Sequence, residues 1–171
     1  SIGKNDNIYT SNAQIDGMSL LKFDTFYPLI KSNDIIRETL TPKISFRINP
    51  GNNMNDYSGT SKNIDASNAF DVNRLSISDD FEAGRSLTFG LDYKFDTLET
   101  YLGKDTDDED IKDKYLEFKL ATIVRDQVET EIPASSTINR KNSNIFGSIE
   151  NRLFNNANFT YNFSLDNDMK T

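Results

Sequence analysis

Residues 105–110, DTDDED, are the densest set of metal-ligating side chains in the sequence. A calcium loop of the EF-hand type needs Gly at its sixth position and Glu at its twelfth. Counted from Asp105, those positions hold Asp110 and Leu116, so the pattern fails. A solvated acidic loop with at most loose divalent-cation binding is what remains. The chain contains neither His nor Cys. That removes the commonest general base, the commonest zinc ligand and every thiol nucleophile. The Ser residues therefore lack a His partner, and no spacing singles out a carboxylate pair. No catalytic set, metal site or cofactor site is expected. Asn158-Phe159-Thr160 fits a glycosylation sequon but falls on an expected strand, and is read as chance.

Formal net charge is -8 over 171 residues. An acidic chain of this kind argues against nucleic acid, which needs a basic face to displace counterions. The apolar runs are only a few residues long, so no transmembrane helix is expected. The chain begins with Ser1 and shows no targeting segment, so any such segment is expected to have been removed or to lie upstream. Asn, Asp, Ser, Thr and Phe stand above their usual shares while Ala and Leu stand below theirs, the reverse of a helical composition.

The organising signal is a period of two. In SLTFGLDYKF, residues 86–95, Leu87, Phe89, Leu91, Tyr93 and Phe95 alternate with Ser86, Thr88, Gly90, Asp92 and Lys94. Residues 38–48 behave alike, with Ile44 and Phe46 on one face and Lys43 and Arg47 on the other. Phe159, Tyr161 and Phe163 repeat the pattern near the end. Strands are expected near 18–27, 38–48, 72–78, 85–96, 115–124, 143–154 and 157–166. Pro42 suggests a strand start, an edge or a bulge. Pro28 is expected to end pairing, with a tight connection over 30–34. Asn155-Asn156 suits a two-residue hairpin turn. Residues 49–68, with few apolar side chains, are expected to be mobile or to extend beyond the sheet. Residues 102–114 and 125–142 read as further loops.

Strands of about ten residues cross a bilayer at a tilt, and short turns alternating with long loops are the outer-membrane barrel pattern. The expected fold is all-β, with antiparallel up-and-down strands forming part of a large outer-membrane barrel. The apolar faces would equally suit the core of a soluble sandwich. The mixture of Lys, Arg, Asp, Thr, Ser and Asn on the opposite faces favours a water-filled lumen.

Several stretches resemble one family in the same order. FYPLIKSNDIIRETLTPKISFRINPG, from Phe26, is similar to a passage in the barrel of the LptD family: an aromatic-Pro strand end, a short turn, then Leu-x-Pro and a polar loop. NRLSISDDFEAGRSLTFGLDYKF resembles the family's Asn-Arg-Phe-Ser-Gly-Tyr-Asp-Arg passage and the Gly-bearing strand after it. Asn73, Arg74, Ser76 and Asp79 match, while Leu75, Ile77, Ser78 and Asp80 depart. The likeness is order-specific from Phe26 to Phe95, and it looks most like the alphaproteobacterial version.

The resemblance implies an internal fragment of a non-enzymatic lipopolysaccharide translocon in the Gram-negative outer membrane, away from the lateral gate. Its partners would be lipopolysaccharide, outer-membrane lipids, an LptE-like lipoprotein plug and periplasmic Lpt proteins. Ile44, Phe46, Leu87, Phe89, Leu91, Tyr93, Phe95, Phe159, Tyr161 and Phe163 would face lipid. Lys43, Arg47, Thr88, Asp92 and Lys94 would face the lumen. A porin or receptor, a soluble adhesive or glycan-binding sandwich and, last, a carboxylate glycosidase are the alternatives.

Overall fold

The computed structural model describes residues 2–3, 14–15, 19–51, 63–75, 81–97, 114–130, 132–154 and 157–166. Two short strands, β1 (Ile2–Gly3) and β2 (Gln14–Ile15), pair only with each other. The remaining strands form one antiparallel sheet: β3 (Leu21–Phe26), β4 (Leu29–Ser32), β5 (Ile36–Asn49), β6 (Gly84–Thr97), β7 (Tyr115–Arg125), β8 (Ile145–Phe154) and β9 (Ala157–Leu165). Neighbours follow the order β3–β5–β6–β7–β8–β9, with β4 also on β5. With β3 and β4 taken as one interrupted strand on β5, each strand lies beside its successor in an up-and-down meander. Alternating aromatic and β-branched residues suit this pleated surface, and Gly, Asn and Asp sit at its breaks.

Two prolines are accommodated without breaking the register. β3 ends with Phe26 opposite Lys43, and β4 resumes with Leu29 opposite Leu40, in the same alignment. Pairing therefore continues past Pro28 to Ser32, and the tight connection is Asn33–Ile35 instead of residues 30–34. Asn33 builds it: its side-chain Oδ1 accepts from the Ile35 and Ile36 amides at 3.0 and 2.8 Å. Pro42 lies inside the fourteen-residue β5. Its carbonyl accepts the Tyr27 amide at 3.1 Å. A strand residue points its N–H and C=O the same way. The donor that Pro42 lacks would thus aim at the interruption between β3 and β4, so the ladder to β6 loses nothing.

The strand expected over 72–78 does not form in its described part. Residues 72–75 are a turn. Asp71 and Asn73 favour turns, the buried Arg74 bonds to Ala69, Glu82, Ser86 and Thr88, and Leu75 joins the inner core. Residues 63–68 likewise do not extend beyond the sheet. Ile64 and Ala66, with Ala69 and Leu75, are buried against Ala121, Ile123 and Phe146 of the wall. A few small apolar side chains suffice because the surface receiving them is already ordered.

The connections divide between the two rims. Asn49, Gly84, Arg125 and Ile145 end their strands at one rim. Ser32, Ile36, Thr97, Tyr115, Phe154 and Ala157 end theirs at the other. The acidic run 105–110 and the Asn155-Asn156 turn lie outside the described residues. The β6–β7 connection is anchored where the Thr97 amide meets the Lys114 carbonyl at 3.2 Å.

Cross-strand partners share a face. One face carries the rows Ile44–Phe89–Thr122, Phe46–Leu87–Val124 and Pro42–Leu91–Leu120. The other carries Lys43–Gly90–Ala121, Ser45–Thr88–Ile123 and Arg47–Ser86–Arg125. On the apolar face the Phe163 ring covers Gly147, occupying the space a β-carbon would need. Phe118 and Tyr161 flank that ring at centroid distances of 6.5 and 6.0 Å.

Candidate functional site

Toward the long loops the polar face is the buried one, and the apolar face opposite it is exposed. Arg47, Thr88 and Ser45 are nearly inaccessible, while Ile44, Phe46, Phe89 and Leu91 on the opposite face are 42%, 40%, 40% and 37% exposed. Phe159 and Tyr161 are more exposed still. A soluble sandwich would show the reverse, because burying apolar area is its driving force.

The apolar band has polar borders. Arg85 pairs with Asp126 at 3.2 Å at the rim of the long loops. At the other rim Glu38 accepts from the Tyr93 hydroxyl at 2.9 Å and pairs with Lys31 at 3.5 Å. Glu38 stands opposite Phe95, ten positions along β6 from Arg85. Ten residues at about 3.4 Å each, tilted about 40°, span about 26 Å, the height of a barrel's apolar belt.

The opposite face changes character along its length. Toward the short turns it is a field of neutralised charge. Lys43 pairs with Asp92. Lys94 pairs with Asp96 at 2.8 Å and lies 4.7 Å from the Tyr115 ring centre. Lys119 pairs with Glu117 and Arg152 with Glu150, at 2.8 and 2.6 Å. Toward the long loops the face becomes a buried ion cluster. Arg74 reaches both oxygens of Glu82, with Nε at 2.8 Å from Oε2, and also donates to Ser86 Oγ at 2.8 Å and Thr88 Oγ1 at 3.1 Å. Arg125 Nη1 donates to Glu82 Oε1 at 3.0 Å, and Arg47 Nε lies 3.8 Å from that oxygen. Arg47 also donates to the Val72 carbonyl at 2.6 Å. Asn49 holds the backbone of the acid through bonds to the Phe81 and Glu82 carbonyls at 3.1 and 3.2 Å.

The structure thus sets Lys43, Arg47, Thr88, Asp92 and Lys94 on one face, but in two settings: Arg47 and Thr88 in the buried cluster, the rest in the charged field. Arg74, Glu82 and Arg125 were not singled out by chemistry in the sequence. Arg74 carries a trace as part of the Asn-Arg passage. Glu82 and Arg125 carry none, since the cluster draws on positions 47, 74, 82 and 125 and no local spacing announces it.

Burial pushes the Glu82 carboxyl up. The charge and hydrogen bond of Arg74, with the charges of Arg47 and Arg125, outweigh burial and bring it down to about 2 from an ordinary 4.5. A folded value below the unfolded one means that Glu82 contributes fully above about pH 4.5 and progressively less as pH falls toward 2. The denaturation midpoint of the wild type should therefore fall over this range, while that of Glu82→Gln changes less. Parallel pH profiles for the two proteins would sink the assignment.

Among the described residues no group of acidic side chains could hold a metal ion, and no helix is long and apolar enough to cross a membrane. The latter leaves crossing by strands untouched. The comparison that decides the family is with the LptD model, LPS transport system D, which matches residues 5–171. The chain belongs to the LptD family. No curated protein and no solved structure matches it. LptD membership carries a role in lipopolysaccharide transport at the outer membrane, in a family of transport and assembly proteins. With an all-antiparallel sheet, it replaces the porin or receptor and soluble-sandwich alternatives.

Proposed function

We propose that this chain is a fragment of the wall and one rim of a large LptD barrel, and that it takes no catalytic part in moving lipopolysaccharide to the outer leaflet. The observation carrying this reading is the inverted burial of the sheet toward the long loops: apolar side chains such as Ile44, Phe46 and Phe89 exposed, and polar ones such as Ser45, Arg47 and Thr88 covered. Ile44, Phe46, Leu87, Phe89, Leu91, Tyr93, Phe95, Phe159, Tyr161 and Phe163 then face lipid. Lys43, Arg47, Thr88, Asp92 and Lys94 face the interior. The charged field around Lys43 and Asp92 offers paired, wettable groups to a lipoprotein plug of the LptE kind or to a passing head group, and the periplasmic Lpt proteins act through the rest of the barrel.

The test is site-specific photo-cross-linking in cells. A photoreactive residue at Thr41, between Lys43 and Thr39 on the inner face, should capture lipopolysaccharide or the plug lipoprotein. The same residue at Leu91 should capture phospholipid or the lipid part of lipopolysaccharide and no plug. Plug adducts at Leu91 with none at Thr41 would overturn the orientation.

A further inference from the structure

Two segments, residues 63–75 and residues 126–130 with 132–144, lie over the polar face at the same rim. The first contributes Ile64, Ala69 and Leu75 to the small inner core, and the second Ile132 and Ile138. The second is sewn to β7 by its backbone: the Arg125 amide donates to the Lys141 carbonyl at 2.7 Å, and the Ser143 amide to the Ile123 carbonyl at 2.9 Å. Between the two segments lies one shared carboxylate. Glu82 takes Arg74 from the first segment and Arg125 from the root of the second, with Arg47 of the wall beneath. Arg125 also reaches Glu129 of the second segment at 3.9 Å.

We propose that the two segments form a single lid over the inner face, latched by Glu82, so that they open together. This rests on the chain being a barrel wall, since only then is the covered face a lumen. The physical reason is the sharing of one buried carboxylate. Glu82 is the one carboxylate that Arg47, Arg74 and Arg125 share, and removing its charge strips a buried partner from all three at once. Water reaches the site only past both segments: Arg74 is carried by the first, Glu129 of the second lies 3.9 Å from Arg125 at the end of β7, and the two share one inner core. The strands are held otherwise. β5 and β6 pair over fourteen residues, and β6 and β7 over eleven. The lid can therefore open while the wall stays closed, in the manner of a local unfolding unit.

Hydrogen exchange read by mass spectrometry on the full-length protein in detergent tests this. In Glu82→Gln, the amides of 63–75 and 132–144 should exchange about tenfold faster or more, together, with those of β5, β6 and β7 unchanged. Loosening of one segment alone, or equal rates in variant and wild type, overturns the lid. Acceleration through the strands overturns it too, by showing Glu82 to be a general stability element. If Glu82→Gln does not assemble, Gly90→Ala carries the test without touching an ion pair. A β-carbon there would come within 2.6 Å of the Phe70 ring and unseat the first segment. The second segment must then loosen with it, and exchange confined to 63–75 overturns the coupling. Exchange reports the lid, and cross-linking at Thr41 reports transport, so the two readings fail separately.

Discussion

Arg74→Ala lowers the unfolding free energy of the intact barrel by about 3–5 kcal/mol, the usual effect of removing one partner from a buried, hydrogen-bonded ion pair. Arg74 is 2% exposed and Glu82 3%, so neither can fall back on water. Alanine takes away the fork that grips both Glu82 oxygens and also the donors to Ser86, Thr88 and the Ala69 carbonyl. Arg125 and Arg47 still face Glu82, which holds the loss short of a fully orphaned charge. Arg74→Lys should recover only part of it, because an ammonium is a point charge and cannot match the fork. The control is Arg85→Ala. Arg85 pairs with Asp126 in the open, at side-chain exposures of 65% and 45%. Its loss should cost less than about 1 kcal/mol. Denaturant unfolding of the folded protein in detergent, with an unchanged slope, measures all three variants. Equal effects of Arg74→Ala and Arg85→Ala would show that the cluster does not hold the rim.

The fold was legible where the physics is local. The unbroken alternation of residues 86–95 marks β6 and assigns each of its side chains to a face, because a strand has a period of two whatever its surroundings. Asn33 could be read as part of a turn from its own chemistry. What the sequence obscured depends on partners distant in the chain. Pro42 looks like an obstacle until its missing donor is seen to aim at a gap in the neighbouring strand. Leu75 belongs to an alternation too short to resist Arg74, whose five hydrogen bonds to Ala69, Glu82, Ser86 and Thr88 fix a turn instead. Residues 63–68 are poor in apolar groups, yet Ile64 and Ala66 find a ready surface on the inner wall. The candidate site divides the same way. Lys43, Asp92 and Lys94 declare themselves by alternation, whereas Glu82 gains its meaning only from three arginines brought to it by β5, β7 and a turn.

The cluster's cost also bears on why it exists. A buried ion cluster is a weak source of net stability, since apolar residues of similar volume often do as well. Backbone bonds already tie residues 141 and 143 to β7, so the cluster's use falls mainly on the first segment. The inner core of Ile, Ala and Leu side chains could slide; a carboxylate that must meet Arg74, Arg125 and Arg47 at once cannot.

The orientation of the sheet itself predicts opposite outcomes at adjacent residues. Leu91 lies on the exposed apolar face in the row Pro42–Leu91–Leu120, and Asp92 lies on the other, paired with Lys43. Arginine at Leu91 should cost about 2–4 kcal/mol if the residue sits near the bilayer midplane, and less toward an interface. Arginine at Asp92 loses the Lys43 pair and gains a like charge in a wet interior, a change of about 1 kcal/mol. A soluble core would punish Leu91→Arg as well, so stability alone does not separate lipid from core. Cysteine labelling does. The thiol of Leu91→Cys should react with a label dissolved in the membrane and resist a water-soluble one. The thiol of Asp92→Cys should show the reverse, from whichever side the interior is open. Equal shielding of Leu91→Cys from both labels, in a protein that stays soluble without detergent, would end the membrane reading. Lipid access at residue 91 alone, with residue 92 reached only from water, requires a wall one strand thick with hydrocarbon on one side and water on the other.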